Sequence, residues 1–557
     1  MNYQEVCAAL TAPGERFETV ETETRHGTRV TVHKNAPNSL REIFATAYER
    51  GDDIFLVYED ERWSFAEVMR HVDALAALLV DHYGVKKGDR IAIGMRNYPE
   101  WVLSFAAITS VGGISVSLNA WWTEDELDFA MEDSGATVLI ADAERVERSR
   151  AAADRLGFRT LAVRTPDGGG TRDGVDRWED VLPIGAPMPD VVIDPDDDAT
   201  ILYTSGTTGR PKGAVSTHRA IVQALMGFGC KTAVERVRRP EAAPPTDKPA
   251  FILIVPLFHV TGCVPVMLSC FSSGLKLVIM YKWDADRALQ LIERERVTNF
   301  VGVPTQSWDL LESPKFAEYD TSSLVSVGGG GAPAPPELVR RVSTSFAKAA
   351  PGIGYGMTET NAYGPQNSGP DYIAHPTSTG RATPILRIEV RDEAGNAVAT
   401  GERGEIWFKG PNLIRGYWNR PEATAETIVD GWLRSGDIGR LDEEGFVYVE
   451  DRAKDMVLRA GENIYCAEVE AALYEHPGVY EAAVFGVPHE RLGEEVAAVV
   501  YPRPGHDVTA VALQAHVAER LAAFKVPSIV TLYDTQLPRN PAGKILKREL
   551  REELLSS

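Results

Sequence analysis

At 557 residues, 44% hydrophobic and 25% charged, the chain has an ordinary soluble globular composition and is large enough for more than one core. A formal net charge of -22 excludes a polyanion binder that works through a basic surface, so no nucleic-acid partner is expected and any phosphate site must be local. Cys7, Cys230, Cys263, Cys270 and Cys466 form no C-x-x-C pair and suit a reducing cytoplasm, and Glu5, Glu15, Glu18, Glu21 and Glu23 stand where a signal peptide would be basic and then apolar.

From about residue 55 to 330, apolar runs at 90–94, 137–141 and 276–280 alternate with helical stretches at 66–80 and 284–295, which predicts a mainly parallel, doubly wound sheet. Residues 199–203 read as a buried strand leading into Tyr203-Thr-Ser-Gly-Thr-Thr-Gly-Arg-Pro-Lys-Gly213. The glycines of that stretch let the backbone approach an anion, its hydroxyls add donors, and Lys212 adds a point charge. Ser216 is expected to cap a helix through His218, Ile221 and Leu225. A Walker A loop does not fit: counting from Gly206 the second required glycine is Pro211, and Gly213 follows Lys212. A Gly/Thr-rich surface turn is the plain alternative for this segment alone.

Further along, 235–248 is rich in Pro and charge and reads as a mobile surface loop. Residues 250–275 contain no Asp, Glu, Lys or Arg and are long enough to span a bilayer. Pro256, His259, Thr261, Gly262 and Pro265 break the stretch into a strand at 251–255, a polar loop and a helix, so core is expected and membrane contact is peripheral at most. After the turn-rich strands of 401–449 comes the charged connector 451–455. Beyond it lies a smaller α+β unit with a helix after Glu468, strands at 482–487 and 496–501, and a helix with Leu513, Val517, Leu521 and Phe524 on one face. The expected division is 1–450, a hinge at 451–455, and 456–557.

Eight blocks follow one another in order: 203–213, Pro256-Leu-Phe-His-Val-Thr-Gly262, Gly330-Gly-Ala-Pro333, Gly354-Tyr-Gly-Met-Thr-Glu359, Gly431-Trp-Leu-Arg-Ser-Gly-Asp437, Asp451-Arg452, Gly461-Glu-Asn-Ile464 and Pro538-Arg-Asn-Pro-Ala-Gly-Lys544. Together, over nearly the whole chain, they resemble the adenylate-forming superfamily in its acyl-CoA synthetase, fatty-acid-CoA-ligase-like branch. The resemblance implies an α/β fold, with a large N-terminal domain of doubly wound mixed sheets and a small C-terminal α+β domain on a hinge. It also implies ATP, Mg2+ and coenzyme A, with a carboxylic acid converted to an acyl-adenylate and then to a thioester.

Laid on these positions, the family's roles put Thr204, Ser205, Gly206, Thr207, Thr208, Gly209 and Lys212 on the ATP phosphates. Gly330, Gly331, Ala332, Pro333, Gly354, Tyr355, Gly356 and Met357 surround the base, with Tyr355 stacked on adenine. Thr358 donates to the α-phosphate, Glu359 holds Mg2+ with Thr207, and Asp437 accepts from the ribose hydroxyls beside Arg452. Lys544 bridges the attacking carboxylate and the α-phosphate. Lys454 stands at the hinge, and Arg459, Gly461, Glu462 and Asn463 face coenzyme A. His259 gates an acyl pocket to which Gly302, Val303 and Gly329 contribute, the glycines by leaving room for a chain. Read without the family, Glu359 is a solvated acid, Lys544 a helix start, His259 a core histidine, and Gly328 and Gly329 a tight turn.

Three departures stand out: Ser435 where the family has Thr, Lys454 where many relatives carry Asp, and Arg459-Ala460 where small residues are usual. Residues 256–265 offer no acid to a substrate ammonium, which favours a neutral-tailed acid: a medium- to long-chain fatty acid first, an aryl or alicyclic acid second. No carrier domain is read after Lys544, so free coenzyme A is the expected acceptor, and a homodimer is left open. The reading of another class is a non-catalytic nucleotide or acyl binder. His489-Glu490 lacks the second zincin histidine, and there is no G-x-S-x-G elbow.

Overall fold

The computed structural model describes residues 2–25, 27–165, 174–204, 211–240, 248–332, 334–452, 455–459, 462–541 and 543–556. One eight-stranded sheet has the order Gly416–Tyr417, Lys212–Thr217, Asp198–Thr204, Ile114–Ser117, Arg90–Gly94, Val138–Asp142, Arg159–Val163, Val175–Arg177. The other runs Gln366–Ser368, Ala350–Gly354, Ser326–Gly330, Asn299–Gly302, Ala250–Leu253, Lys276–Ile279, Ile54–Tyr58, Glu61–Ser64. Both are parallel in the middle and antiparallel at an edge, the mixed doubly wound arrangement expected from the alternation. Their central strands are buried on both faces, which is why they read as unbroken apolar runs. Ser64 and Asp284 cap the crossover helices Phe65–Ala77 and Ala285–Glu295.

A five-stranded antiparallel sheet completes the large domain, and its strand Trp432–Leu441 pairs with Val447–Arg452. The C-terminal domain is built on Val479–His489 and Gly493–Pro502, with Val457–Arg459, Glu462–Ile464 and Ile529–Leu532 completing its sheet.

Several local expectations are corrected. Thr217, not Ser216, caps the helix His218–Arg238; its hydroxyl accepts from the Ala220 N–H at 3.2 Å, while Ser216 lies in the preceding strand and donates to Asn361 Oδ1 at 2.9 Å. That helix continues to Arg238, into the stretch expected to be loop, because Lys231 pairs with Glu235 at 2.9 Å and Arg238 with Asp371 at 2.6 Å. The uncharged stretch opens with a shorter strand, Ala250–Leu253, and continues as the helical turns Gly262–Leu268 and Ser269–Ser273, interrupted by Pro265. Val264, Met267, Leu268, Cys270 and Phe271 are fully buried there, and no helix among the described residues is long and apolar enough to cross a membrane. Leu521 and Phe524 lie beyond the helix Ala510–Ala518 that was expected to carry them, yet pack on the same core as Leu513 and Val517.

Asp451 and Arg452, the first residues of the expected connector, end the last strand of the large domain. The buried Asp451 carboxylate accepts from the Cys466 N–H at the start of the helix Cys466–Tyr474, and from the Arg452 N–H at 2.8 Å. Burial lifts its pKa to about 6, against the pull of Lys547.

Candidate functional site

Three adjacent parallel strands end side by side at glycine: Gly302 is in register with Gly329, and Gly330 with Gly354. A crevice at the carboxyl ends of such strands is where open α/β sheets bind ligands. A Cβ on Gly330 would lie 3.1 Å from the Gly354 carbonyl, so the two strand ends are closely apposed there. Gly331 has φ +75° with nothing near its missing side chain, which makes it a turn glycine; Ala332 follows, half-buried.

Beyond Gly354 the chain folds back on itself. A Cβ on Gly356 would meet the Ala362 carbonyl at 2.5 Å, and Asn361 and Ala362 both have positive φ. A buried amide network supports this fold: Asn361 donates to the Asn412 carbonyl at 2.9 Å, and Asn412 donates to the carbonyls of Thr360 at 2.9 Å and Tyr363 at 3.2 Å. Half-buried Met357 precedes the single turn Thr358–Thr360, which carries Glu359. Tyr417 donates to Glu359 Oε1 at 2.7 Å, and the Lys212 ammonium lies 4.4 Å over the Tyr417 ring. Burial, then the Glu359 carboxylate, push the Tyr417 hydroxyl far above the usual phenol range, so it remains a donor.

Lys212 faces Thr204 in the last register pair of the hairpin formed by Asp198–Thr204 and Lys212–Thr217, and the Thr204 hydroxyl donates to the Lys212 carbonyl at 3.4 Å. Ser205, Gly206, Thr207, Thr208 and Gly209 lie outside the described residues, as do Pro333, Lys454 and Gly461.

Tyr355 donates to Asp437 Oδ2 at 2.5 Å, with its ring tilted against Phe408 at 5.6 Å. Arg452 Nε stands 3.6 Å from Asp437 Oδ1. Burial raises the Asp437 pKa, opposed by Tyr355, Arg452 and Lys544. Ser435 retains a hydroxyl's work, since its Oγ accepts from the Asp437 N–H at 3.0 Å.

Lys544 is brought to this cluster from the C-terminal domain. Burial, then the nearby Arg452 charge, lower its ammonium pKa to about 8, against the pull of Asp455 and Asp437. Its loop abuts the large domain: a Cβ on Gly543 would lie 2.7 Å from Val303 Cγ2.

On the acyl side, half-buried His259 accepts the Thr261 N–H on Nδ1 at 3.4 Å, and burial lowers its pKa to about 4, so the ring is neutral. Gly302 is corrected: it opens no room, because a Cβ there would lie 2.6 Å from Gln306 Oε1 and 2.7 Å from Ile254 Cδ1. Gly329 is different, with nothing closer than 3.6 Å. Arg459 is paired with Glu495 at 2.7 Å inside the small domain, and Glu462 and Asn463 are exposed, so among the described residues these three show no shared contact with Lys544.

Two features escaped the sequence reading. Tyr417 sits on a two-residue edge strand with no pattern to flag it. Arg96, at the carboxyl end of the strand Arg90–Gly94, lies 3.9 Å from the Trp121 ring and 4.8 Å from that of Tyr281; Trp121 in turn packs edge-on against Phe258, beside His259. Arginines over aromatic rings offer a sequence signal only as scattered residues.

A mainly parallel-sheet domain whose adjacent strands end at glycine, met by a smaller domain that places Lys544 near Asp437 and Arg452, defines a two-domain α/β architecture. The chain belongs to the AMP-binding enzyme family: residues 43–418 match the family described as AMP-binding enzyme, and 468–544 the AMP-binding enzyme C-terminal domain. It is 38% identical to a feruloyl-CoA synthase of Amycolatopsis sp over 493 residues, 88% of this chain and 93% of that one. Over 502 residues it is 35% identical to the long-chain-fatty-acid–CoA ligase FadD13 of Mycobacterium tuberculosis, covering 89% and 93% of the two chains. ATP-bound MatB from Rhodopseudomonas palustris superposes with a TM-score of 0.79 at 32% identity, over 93% of this chain and 99% of MatB.

Proposed function

We propose that the protein is an AMP-forming ligase that joins a neutral-tailed carboxylic acid to coenzyme A through an acyl-adenylate. The carboxylate oxygen attacks the α-phosphorus of ATP, the bond to pyrophosphate breaks, and acyl-adenylate forms; the coenzyme A sulfur then attacks the acyl carbon, releasing AMP and the thiol proton. The observation that carries this reading is the seating of Lys544 near Asp437 and Arg452, on a loop whose Gly543 rests against Val303 by the strand ends where a nucleotide would lie. In our assignment its ammonium offsets the repulsion between carboxylate and phosphate. Lys212 and the 204–209 segment hold the departing phosphates, and Tyr355 and the 330–333 and 354–357 segments hold the base. Asp437, steadied by Tyr355 and Arg452, takes the ribose.

Mg2+ fits as an ion arriving on ATP. Among the described residues no group of three or more His, Cys, Asp or Glu could cage a metal, but Glu359, oriented by Tyr417, offers the single hard carboxylate oxygen that such an ion needs beside phosphates and water. When bound, it neutralises phosphate charge. For the second step the 456–557 domain turns about 451–455, with Lys454 at the pivot, to exchange Lys544 for the face bearing Arg459, Gly461, Glu462 and Asn463.

A compact aryl or alicyclic acid gains over a long alkyl chain from one observation, the filled space at Gly302. In our assignment Trp121, packed on Phe258 next to His259 in sequence, and Tyr281, which shares Arg96 with Trp121, form an aromatic rim for such an acid. The test is a panel of ferulate, 3-cyclohexylpropanoate and dodecanoate, read by ATP–pyrophosphate exchange and by mass of the CoA thioester. Acid-dependent exchange that vanishes in Lys544→Ala supports the ligase. Dodecanoate outpacing the cyclic acids overturns the acid preference, and no exchange with any acid leaves the non-catalytic binder. We place the protein in the cytoplasm, its cysteines being free and buried; sedimentation velocity decides monomer or homodimer, and vesicle flotation tests peripheral membrane contact.

A further inference from the structure

We propose that the helix Pro304–Glu312 is a docking rail that holds the small domain where Lys544 is seated, with Asp309 and Glu312 as positioning residues for acyl-adenylate formation. The inference rests on the two-step reading above and adds what fixes the first of its two arrangements.

Thr305, Asp309 and Glu312 lie at i, i+4 and i+7, one face of the helix, and each meets the small domain. Thr305 Oγ1 accepts from Arg539 Nη1 at 3.2 Å. The same guanidinium donates to the Gly543 carbonyl at 2.7 Å and to Glu481 Oε1 at 2.6 Å, so it ties the rail to the Lys544 loop and to the small sheet. One Asp309 oxygen accepts from Tyr480 Oη at 2.6 Å, and the other from Trp283 Nε1 of the large domain at 2.8 Å. Glu312 Oε1 accepts from Arg503 at 2.6 Å and also from Arg341 of the large domain. The same Arg503 and Arg341 guanidiniums lie 5.2 Å and 5.0 Å from the Trp308 ring.

The rail is itself anchored where the reaction is expected. Gln306 accepts the Val303 N–H at 2.9 Å and donates to the Ile254 carbonyl at 3.3 Å, which fixes the helix start to two strand ends. Val303, immediately before the helix, is the residue against which Gly543 rests. A helix is stiff along its axis, so contacts at Asp309 and Glu312 set the approach of the loop at its other end. Each of these carboxylates binds one partner from each domain, so turning the small domain away leaves the large-domain partner in place and breaks only the crossing bond.

The test removes the crossing donors to Asp309 and Glu312 in Tyr480→Phe/Arg503→Gln, leaving Arg539 on Thr305, with Arg503→Lys as the conservative control. All five native cysteines are buried, so spin labels can be directed to Val192→Cys and Val511→Cys, at sites 84% and 74% exposed. The expected result is that the principal interlabel distance of the wild type loses population in the double variant and is kept in Arg503→Lys. Single-turnover adenylation of ferulate or dodecanoate is expected to fall about tenfold or more, as for loss of hydrogen bonds to charged acceptors. Thioester formation from synthetic feruloyl- or dodecanoyl-adenylate stays unchanged. An unaltered distance distribution, or equal losses in both half-reactions, overturns the rail. A wild type that adenylates no acid counts against the two-step reading, while the labels still decide the rail.

Discussion

Gly543→Ala probes the seating of Lys544 without touching its charge. Gly543 has φ +83°, where an L side chain is strained by about 1–2 kcal/mol, and the new methyl would start 2.7 Å from Val303 Cγ2. Relief of that contact needs a shift of roughly 1 Å in the loop, since carbon atoms sit about 3.5–4.0 Å apart at best. A displacement of about 1 Å at a reacting centre costs up to ~100-fold in rate. The expected outcome is therefore a loss of about 10- to 100-fold in single-turnover acyl-adenylate formation, read by quench and mass spectrometry, with thioester formation from supplied adenylate intact. Val303→Ala removes the opposing methyls, so the double variant Gly543→Ala/Val303→Ala should recover the steric part and retain the backbone strain, a positive coupling in the double-mutant cycle. Adenylation by Gly543→Ala at the wild-type rate would refute the idea that Lys544 works from a loop pressed against Val303.

Tyr417→Phe removes the only hydrogen-bond donor recorded for the Glu359 side chain among the described residues and should lower kcat/KM for ATP about tenfold, with little change in thermal stability, as titrated by initial rates against MgATP. Adenylation should be level at neutral pH and fall as pH rises through about 8, because the protonated Lys544 is the useful form and burial has lowered its pKa; Lys544→Arg should lose that limb. His259 should contribute no limb near pH 6.5, since it is already neutral there. Gly302→Ala forces a methyl against Gln306 and Ile254 and should cost about 1–3 kcal/mol in urea unfolding, whichever acid is bound.

Much of the candidate site can be named from the sequence because its residues sit in short blocks whose order survives in one dimension, as Glu359, Asp437 and Lys544 do. Space was less legible than chemistry. Gly302 read as an opening, but a glycine reports only a missing side chain, and here Gln306 from the next helix occupies the place. Ser216 and Thr217 are both competent caps, and the choice fell to the strand register, which put Ser216 toward Asn361. Tyr417 and the Thr305, Asp309 and Glu312 face depend on partners far away in sequence, 58 residues for Tyr417 and 171 to 234 for the helix face, and neither has a local period that names the partner.

The bond from Asp451 to Cys466 bears on where the chain can be cut. By strand pairing Asp451 is the last residue but one of the five-stranded sheet, yet its carboxylate serves the first turn of the small domain's helix Cys466–Tyr474. A fragment begun at 456 would leave that acceptor behind and expose an unpaired N–H at its own first helix. One begun at 447 would carry the acceptor along. On the proposed hinge, the unit that folds and the unit that would swing overlap by a strand end, and a division drawn for expression need not fall where one drawn for motion does.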